Sequence, residues 1–179
     1  SQDGTTPLAI EAFNDMEMDG VWDSDKISFV IDHSSPSPIQ GVSNLHEMMR
    51  DFARKHDINV YDIGCGVCHQ LIPEQGHATP GNLIVGADSH TCTYGALNVF
   101  STGIGSTDMA AVYATGKIWL KVPETIKFQV EGQLSEGVYS KDLILKLIGD
   151  VTADGATYEA VEFTGRAIDK LSMDARMTI

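Results

Sequence analysis

Basic side chains are scarce: 12 Lys and Arg stand against 25 Asp and Glu in 179 residues, a formal net charge of −13 with the six histidines neutral. A nucleic-acid binder needs a basic face to displace counterions from phosphates, and no Lys/Arg cluster supplies one. Anionic membrane surfaces are disfavoured for the same reason. No stretch approaches the roughly 18 consecutive apolar residues of a membrane span, and the N-terminus lacks the basic-then-apolar layout of a secretory signal. Cysteine is also sparse. Cys65, Cys68 and Cys92 are an odd number, too few for a disulfide framework. Together these absences predict a cytoplasmic protein. At 42% hydrophobic and 21% charged, the chain can bury a substantial core. It enters at Ser1 without Met and stops at Ile179 without a helix-ending signal, so a piece of a longer polypeptide is expected.

The apolar residues that are present fall into short β-branched runs and helical stripes. Leu45, Met48, Met49, Phe52 and Ala53 repeat at helical spacing, which predicts an amphipathic helix over roughly 45–56 with Asn44 as its cap. Buried strands are predicted at 27–31, 58–63 and 83–87. The first runs into Asp32-His33, the second into Gly64-Cys65-Gly66, and the third into Asp88-Ser89-His90. A helix follows over about 107–120. Strand, helix, strand, loop, strand, helix is the order of an α/β layered domain with a largely parallel sheet, whose ligand crevice lies where strands lead into loops. Pro123 marks a composition break, and a domain boundary is placed near 122. Beyond it, a strand at 126–131, a helix capped by Ser140 and a strand at about 158–163 read as the opening of a second, incomplete α/β domain.

The histidines divide by context. His46, His56 and His77 occupy polar helix or loop positions, and solvent exposure explains them. His33 and His90 follow carboxylates, and His69 follows a glycine-rich turn, each at the exit of a strand or turn. A carboxylate fixes an imidazole's tautomer and raises its basicity, which makes a positioned acid or base near neutral pH. Proton delivery or the binding of an anionic substrate is the expected role. Cys65-Gly66-Val67-Cys68-His69 spells the C-x-x-C-H pattern of covalent haem attachment, and a zinc site is conceivable. The missing secretory signal, the absence of a second ligand pair and the α/β context favour coincidence. Thr102–Asp108 reads as a glycine-rich loop opening a helix: either an anion site at the helix N-terminus or a close packing contact made by small residues.

Several of these segments carry a resemblance. Gly86-Ala87-Asp88-Ser89-His90-Thr91, Tyr94-Gly95-Ala96, Thr102-Gly103-Ile104-Gly105-Ser106-Thr107-Asp108 and Ala114-Thr115-Gly116-Lys117, with Asp32-His33, Cys68-His69-Gln70 and Glu162-Phe163-Thr164-Gly165, resemble the aconitase superfamily. The similarity is to its 3-isopropylmalate dehydratase/homoaconitase large-subunit branch, in order along nearly the whole chain. It implies an aconitase-type three-layer α/β/α domain with the start of a second α/β domain. It also implies a hydro-lyase that dehydrates a hydroxy di- or tricarboxylic acid and rehydrates it with the hydroxyl moved, using a [4Fe–4S] cluster as Lewis acid.

By that resemblance Asp32 pairs with His33, which protonates the departing hydroxyl, while Asp88 orients His69 and Glu162 orients His90. Ser89 and Gln70 are expected on the substrate. In the family the cluster cysteines lie further along, past Ile179, so Cys65, Cys68 and Cys92 are not those ligands, and no cluster is expected on these 179 residues alone. The catalytic serine lies in a swivelling domain or small subunit, which is the expected partner. The expected substrate is 3-isopropylmalate, in leucine biosynthesis, with homoaconitate or citramalate-type acids as alternatives. Two other classes stay open: a c-type haem electron carrier through Cys65, Cys68 and His69, and a non-catalytic binding module.

Overall fold

The computed structural model describes residues 1–179, which divide into two compact units, Ser1–Trp119 and Leu120–Ile179. In the first unit α1 (Thr6–Asp15) leads through a 3₁₀ turn at Ser24–Lys26 to β1 (Ser28–Val30). Then come α2 (Gln40–His56), β2 (Asn59–Tyr61), α3 (Cys68–Glu74), β3 (Leu83–Gly86), a 3₁₀ segment at Thr91–Leu97, β4 (Phe100–Gly103) and α4 (Ser106–Thr115). β1 pairs with β2, and β3 with β4, both in parallel. The architecture is mixed α/β with parallel pairing.

Successive residues of a strand point to opposite faces, and β1 uses both. Phe29 joins a core built from Ala9, Ile10 and Phe13 of α1, Met49, Phe52 and Ala53 of α2, and Met109, Ala110 and Tyr113 of α4. Val30, one residue on, joins a second core with Cys68, Leu71 and Ile72 of α3 and with Tyr94 and Val99. β3 repeats the division, Val85 packing on the first core and Ile84 on the second. Strands covered on both faces read as continuous apolar runs, which is how these two looked in the sequence. The aromatic centre of the first core has edge-to-face geometry, with the Phe13 and Phe52 centroids 5.3 Å apart at 88°.

Several boundaries differ from the sequence expectation. α2 begins at Gln40 rather than near 45, because Ile39 is extended and Asn44 is already inside the helix, accepting a 2.8 Å hydrogen bond from Gln40 Nε2. α4 ends at Thr115 rather than near 120: Gly116 turns left-handed (φ 66°) and its N–H closes on the Val112 carbonyl. A Cβ there would sit 2.1 Å from the Trp22 ring, so glycine is required twice over. α1, α3 and β4 were not anticipated. Pro73 inside α3 and the glycines around the other segments mask their periodicity.

The second unit pairs β5 (Thr125–Gln129) with β6 (Ala160–Thr164) in parallel, with Phe128 in register with Phe163. α5 (Ser140–Val151) lies between them in sequence, and α6 (Arg166–Asp169) and α7 (Met173–Thr178) follow. Ser140 is the first helical residue and not the cap. Tyr139 takes that position, its N–H donating to the Asp142 carboxylate at 2.9 Å. No helix is long and apolar enough to cross a membrane.

Candidate active site

Three turns of the first unit converge: the loop after β1 carries Asp32 and His33, the start of α3 carries Cys68, His69 and Gln70, and the turn after β3 carries Asp88, Ser89 and His90. The imidazoles form a chain, with centroids 6.2 Å apart between His33 and His69 and 6.1 Å between His69 and His90. Two carboxylates stand beneath them. Asp32, only 3% exposed, places Oδ1 2.8 Å from His33 Nδ1 and accepts the Cys68 N–H on Oδ2 at 2.6 Å. The Asp32 contact assigns the proton of a neutral His33 to Nδ1 and leaves Nε2 free to exchange protons.

Asp88 serves two histidines. Its Oδ1 accepts the His90 backbone N–H at 2.7 Å and lies 3.6 Å from His90 Nδ1 and 3.7 Å from His69 Nε2. Its Oδ2 accepts the hydroxyl of the buried Thr91 at 2.9 Å. Both ring nitrogens of His69 are shielded from water and lack a hydrogen-bond partner. Burial holds the His69 pKa below the usual histidine value; Asp88 opposes this, and the neighbouring His33 and His90 reinforce it. His69 is therefore neutral at pH 7. His90 is 78% exposed, and Ser89 Oγ lies 3.2 Å from its Nδ1. Gln70 is exposed and donates to Glu74 at 2.6 Å.

The glycine-rich loop explains how the turn is held. A Cβ at Gly103 would lie 2.3 Å from the Asp88 carbonyl oxygen, and one at Gly86 would collide with Thr91. Small residues here let β4 and the Asp88–His90 turn touch, which accounts for Gly103 as packing. Glu162 lies in the second unit, exposed on β6 in register with Lys127.

Three other histidines depart from simple solvation. His46 is buried (2% exposed), with Nε2 2.9 Å from Asp3 Oδ2, because it shares the inward face of α2 with Met49 and Ala53. His56 is half-buried against Phe52, ring centroids 4.4 Å apart, and His77 meets the Tyr61 hydroxyl at 2.6 Å. Asp3 also escaped the sequence reading. Its carboxylate binds the Asp32–Ser34 loop, whose residues lie about 30 positions away, so no local pattern flags it.

Two groups of side chains have ligand atoms within 4.8 Å of one another and could hold a metal ion: Asp32, His33 and Cys68, and His69, Asp88 and His90. An iron–sulfur cluster is held chiefly by cysteine thiolates. Neither group contains two cysteines, Cys65 and Cys92 are exposed, and burial followed by the nearby Asp32 pushes the Cys68 thiol up to about 12. The chain's own thiols therefore do not make a cluster's ligand set. Buried Cys68 is equally unsuited to thioether attachment of a haem, and His69 faces Asp88 instead.

The chain is 54% identical to a probable 3-isopropylmalate dehydratase large subunit of Methanosarcina mazei, over 100% of this chain and 44% of the relative. It is 52% identical to a probable methanogen homoaconitase large subunit of the same organism, covering 100% of this chain and 46% of that protein. It is 51% identical to the 3-isopropylmalate dehydratase large subunit of Heliobacterium modesticaldum, covering 100% and 43%. The chain thus spans less than half the length of the curated relatives it matches. Residues 1–179 match throughout the family described as aconitase family (aconitate hydratase), and the chain belongs to that family.

Proposed function

We propose that these residues form the acid–base half of a hydro-lyase active site, in the large subunit of an enzyme acting on a hydroxy di- or tricarboxylate. The observation that supports this most is the row of three imidazoles with Asp32 and Asp88 beneath them. Dehydration must protonate a departing hydroxyl while holding carboxylates in place. His33, held through Nδ1–H by Asp32, acts as the acid from its doubly protonated form, giving the Nε2 proton to the departing hydroxyl and returning to the neutral Nδ1–H ring. His69 is neutral and can donate one hydrogen bond without carrying charge. Exposed His90, with Ser89 beside it, is placed to contact a substrate carboxylate. Gln70 extends the same rim, and for Glu162, on the second unit, we propose a catalytic role carried by the family resemblance alone.

A [4Fe–4S] cluster, with thiolate ligands from protein outside these 179 residues, would supply a Lewis acid for the departing hydroxyl. A small subunit is the proposed partner that completes the site. Among substrates we propose 3-isopropylmalate, and so a place in leucine biosynthesis, because relatives with that name align over the full chain. Homoaconitate is the second reading, favoured by the homoaconitase relative at 52% identity. Citramalate-type acids complete the series to be tested. The test is turnover of the full-length protein with its small subunit on each acid. Preferred turnover of 3-isopropylmalate is expected, and absence of dehydration of every acid would overturn the reading.

A further inference from the structure

The most deeply buried carboxylate of the first unit belongs to Asp3, whose side chain is wholly inaccessible. Its Oδ1 accepts the backbone N–H of His33 at 2.8 Å and that of Asp32 at 3.4 Å; its Oδ2 accepts that of Ser34 at 3.0 Å and lies 2.9 Å from His46 Nε2. We propose that Asp3 and His46 are a positioning pair for His33: His46 holds the Asp3 carboxylate from α2, and that carboxylate fixes the backbone of residues 32–34 and with it the His33 ring. The inference rests on the reading of His33 as the acid of the proposed reaction.

Three consecutive N–H groups on one carboxylate make Asp3 a template for the loop. A buried carboxylate is tolerated only when its lone pairs are matched by donors. Burial works against its ionised form, yet the Ser34 and His33 N–H groups and then His46 outweigh it, so Asp3 is held below the usual carboxylate range. His46 completes that set. A methionine or leucine at this position on the inward face of α2 would pack against Met49 and Ala53 equally well but offer Asp3 nothing. His46 is too buried to meet a ligand, so its effect must pass through Asp3.

The His33 ring is thereby located twice, its backbone by Asp3 and its Nδ1 by Asp32. Loss of the His46 donor leaves Oδ2 with one partner fewer, and the carboxylate must turn to recover one. A misplacement of about 1 Å costs on the order of 10²-fold in rate.

The test uses the full-length protein in three variants. His46→Gln keeps a side-chain N–H near the position of Nε2, His46→Leu removes it, and Asp3→Asn removes the charge in nearly the same shape. Two quantities are read: the ¹⁵N shifts of the His33 ring, which report its tautomer, and kcat and KM on 3-isopropylmalate with the small subunit present. His46→Leu and Asp3→Asn are expected to mix the His33 tautomers and lower kcat by about 10- to 10²-fold, with KM within about threefold. His46→Gln is expected to keep the Nδ1–H tautomer and most of kcat. If His46→Leu does not fold, Asp3→Asn carries the same comparison. An unchanged His33 spectrum and kcat in His46→Leu, or a glutamine variant as damaged as the leucine one, overturns the pair. If the wild type dehydrates no hydroxy acid, the functional reading falls, while the ring spectra still decide whether the pair positions His33.

Discussion

His33, His69 and His90 sit in one row but meet water to different degrees, with side-chain exposures of 38%, 20% and 78%. These exposures set apart the carboxylate-paired ring proposed as the acid, a shielded ring without a hydrogen-bond partner, and an exposed ring proposed to meet the substrate. In the full-length protein His33→Ala is expected to lower turnover by about 10²-fold or more, the scale of a lost general acid, and His90→Ala to lower kcat/KM through the lost carboxylate contact. Steady-state kinetics checks this; near wild-type rates would remove their assignment. Asp88→Asn is expected to lower kcat because one carboxylate serves both His69 and His90, while melting temperature moves little if Thr91 keeps its bond to the new amide oxygen.

These three histidines stood out in the sequence for local reasons: Asp32 adjoins His33, Asp88 stands two residues before His90, and His69 follows the glycine-rich turn at 64–66. His46 was misjudged because its polarity outweighed its phase, three residues before buried Met49. Asp3 had no signal at all, since His46 and the His33 backbone lie 43 and 30 positions away.

Among the elements, the short strands were readable because parallel strands buried on both faces are plainly apolar. β4 was not: Phe-Ser-Thr-Gly alternates too little, and its last residue serves contact with the Asp88 turn. That contact yields a sharp expectation. Gly103→Ala drives a methyl into a backbone carbonyl, so the turn holding Asp88 and His90 must move; lost activity should accompany a stability loss of about 1–3 kcal/mol. Gly116→Ala lies away from the histidines, at a left-handed C-cap against Trp22. It should destabilise by about 1–3 kcal/mol from strain and overpacking. Its kcat per folded molecule should stay unchanged. Urea denaturation and active-site-normalised kinetics separate the two, and equal activity loss in both would contradict the distinction.

For the molecule as a whole, the shifted groups set a two-step response to acid. His69 and His56 are both held below the ordinary value of 6.5, chiefly by burial. Well above that value neither is protonated in either state. As pH falls below it, the unfolded chain binds protons that the folded chain resists, so stability declines. Asp3 and Asp62 are also held below their ordinary value, here because hydrogen-bond donors favour the charged form against burial, Asp62 reaching about 2 through its paired bond with Arg50. Their contribution is complete above 3.8 and is lost as pH falls from there toward the folded values. Urea midpoints measured from pH 7 to pH 3 should therefore fall gently first and steeply later; a flat profile between pH 7 and 5 would contradict the burial of His69.

The central claim is that His33, His69 and His90 surround one reacting hydroxy acid. It is tested most directly by a crystal structure of the full-length protein with 3-isopropylmalate bound. The account predicts the substrate packed against all three rings, with its hydroxyl or carboxylate oxygens within about 2.6–3.2 Å of ring nitrogens of His33 and His90. A substrate seated away from that row, with the three rings turned to bulk water, would contradict it.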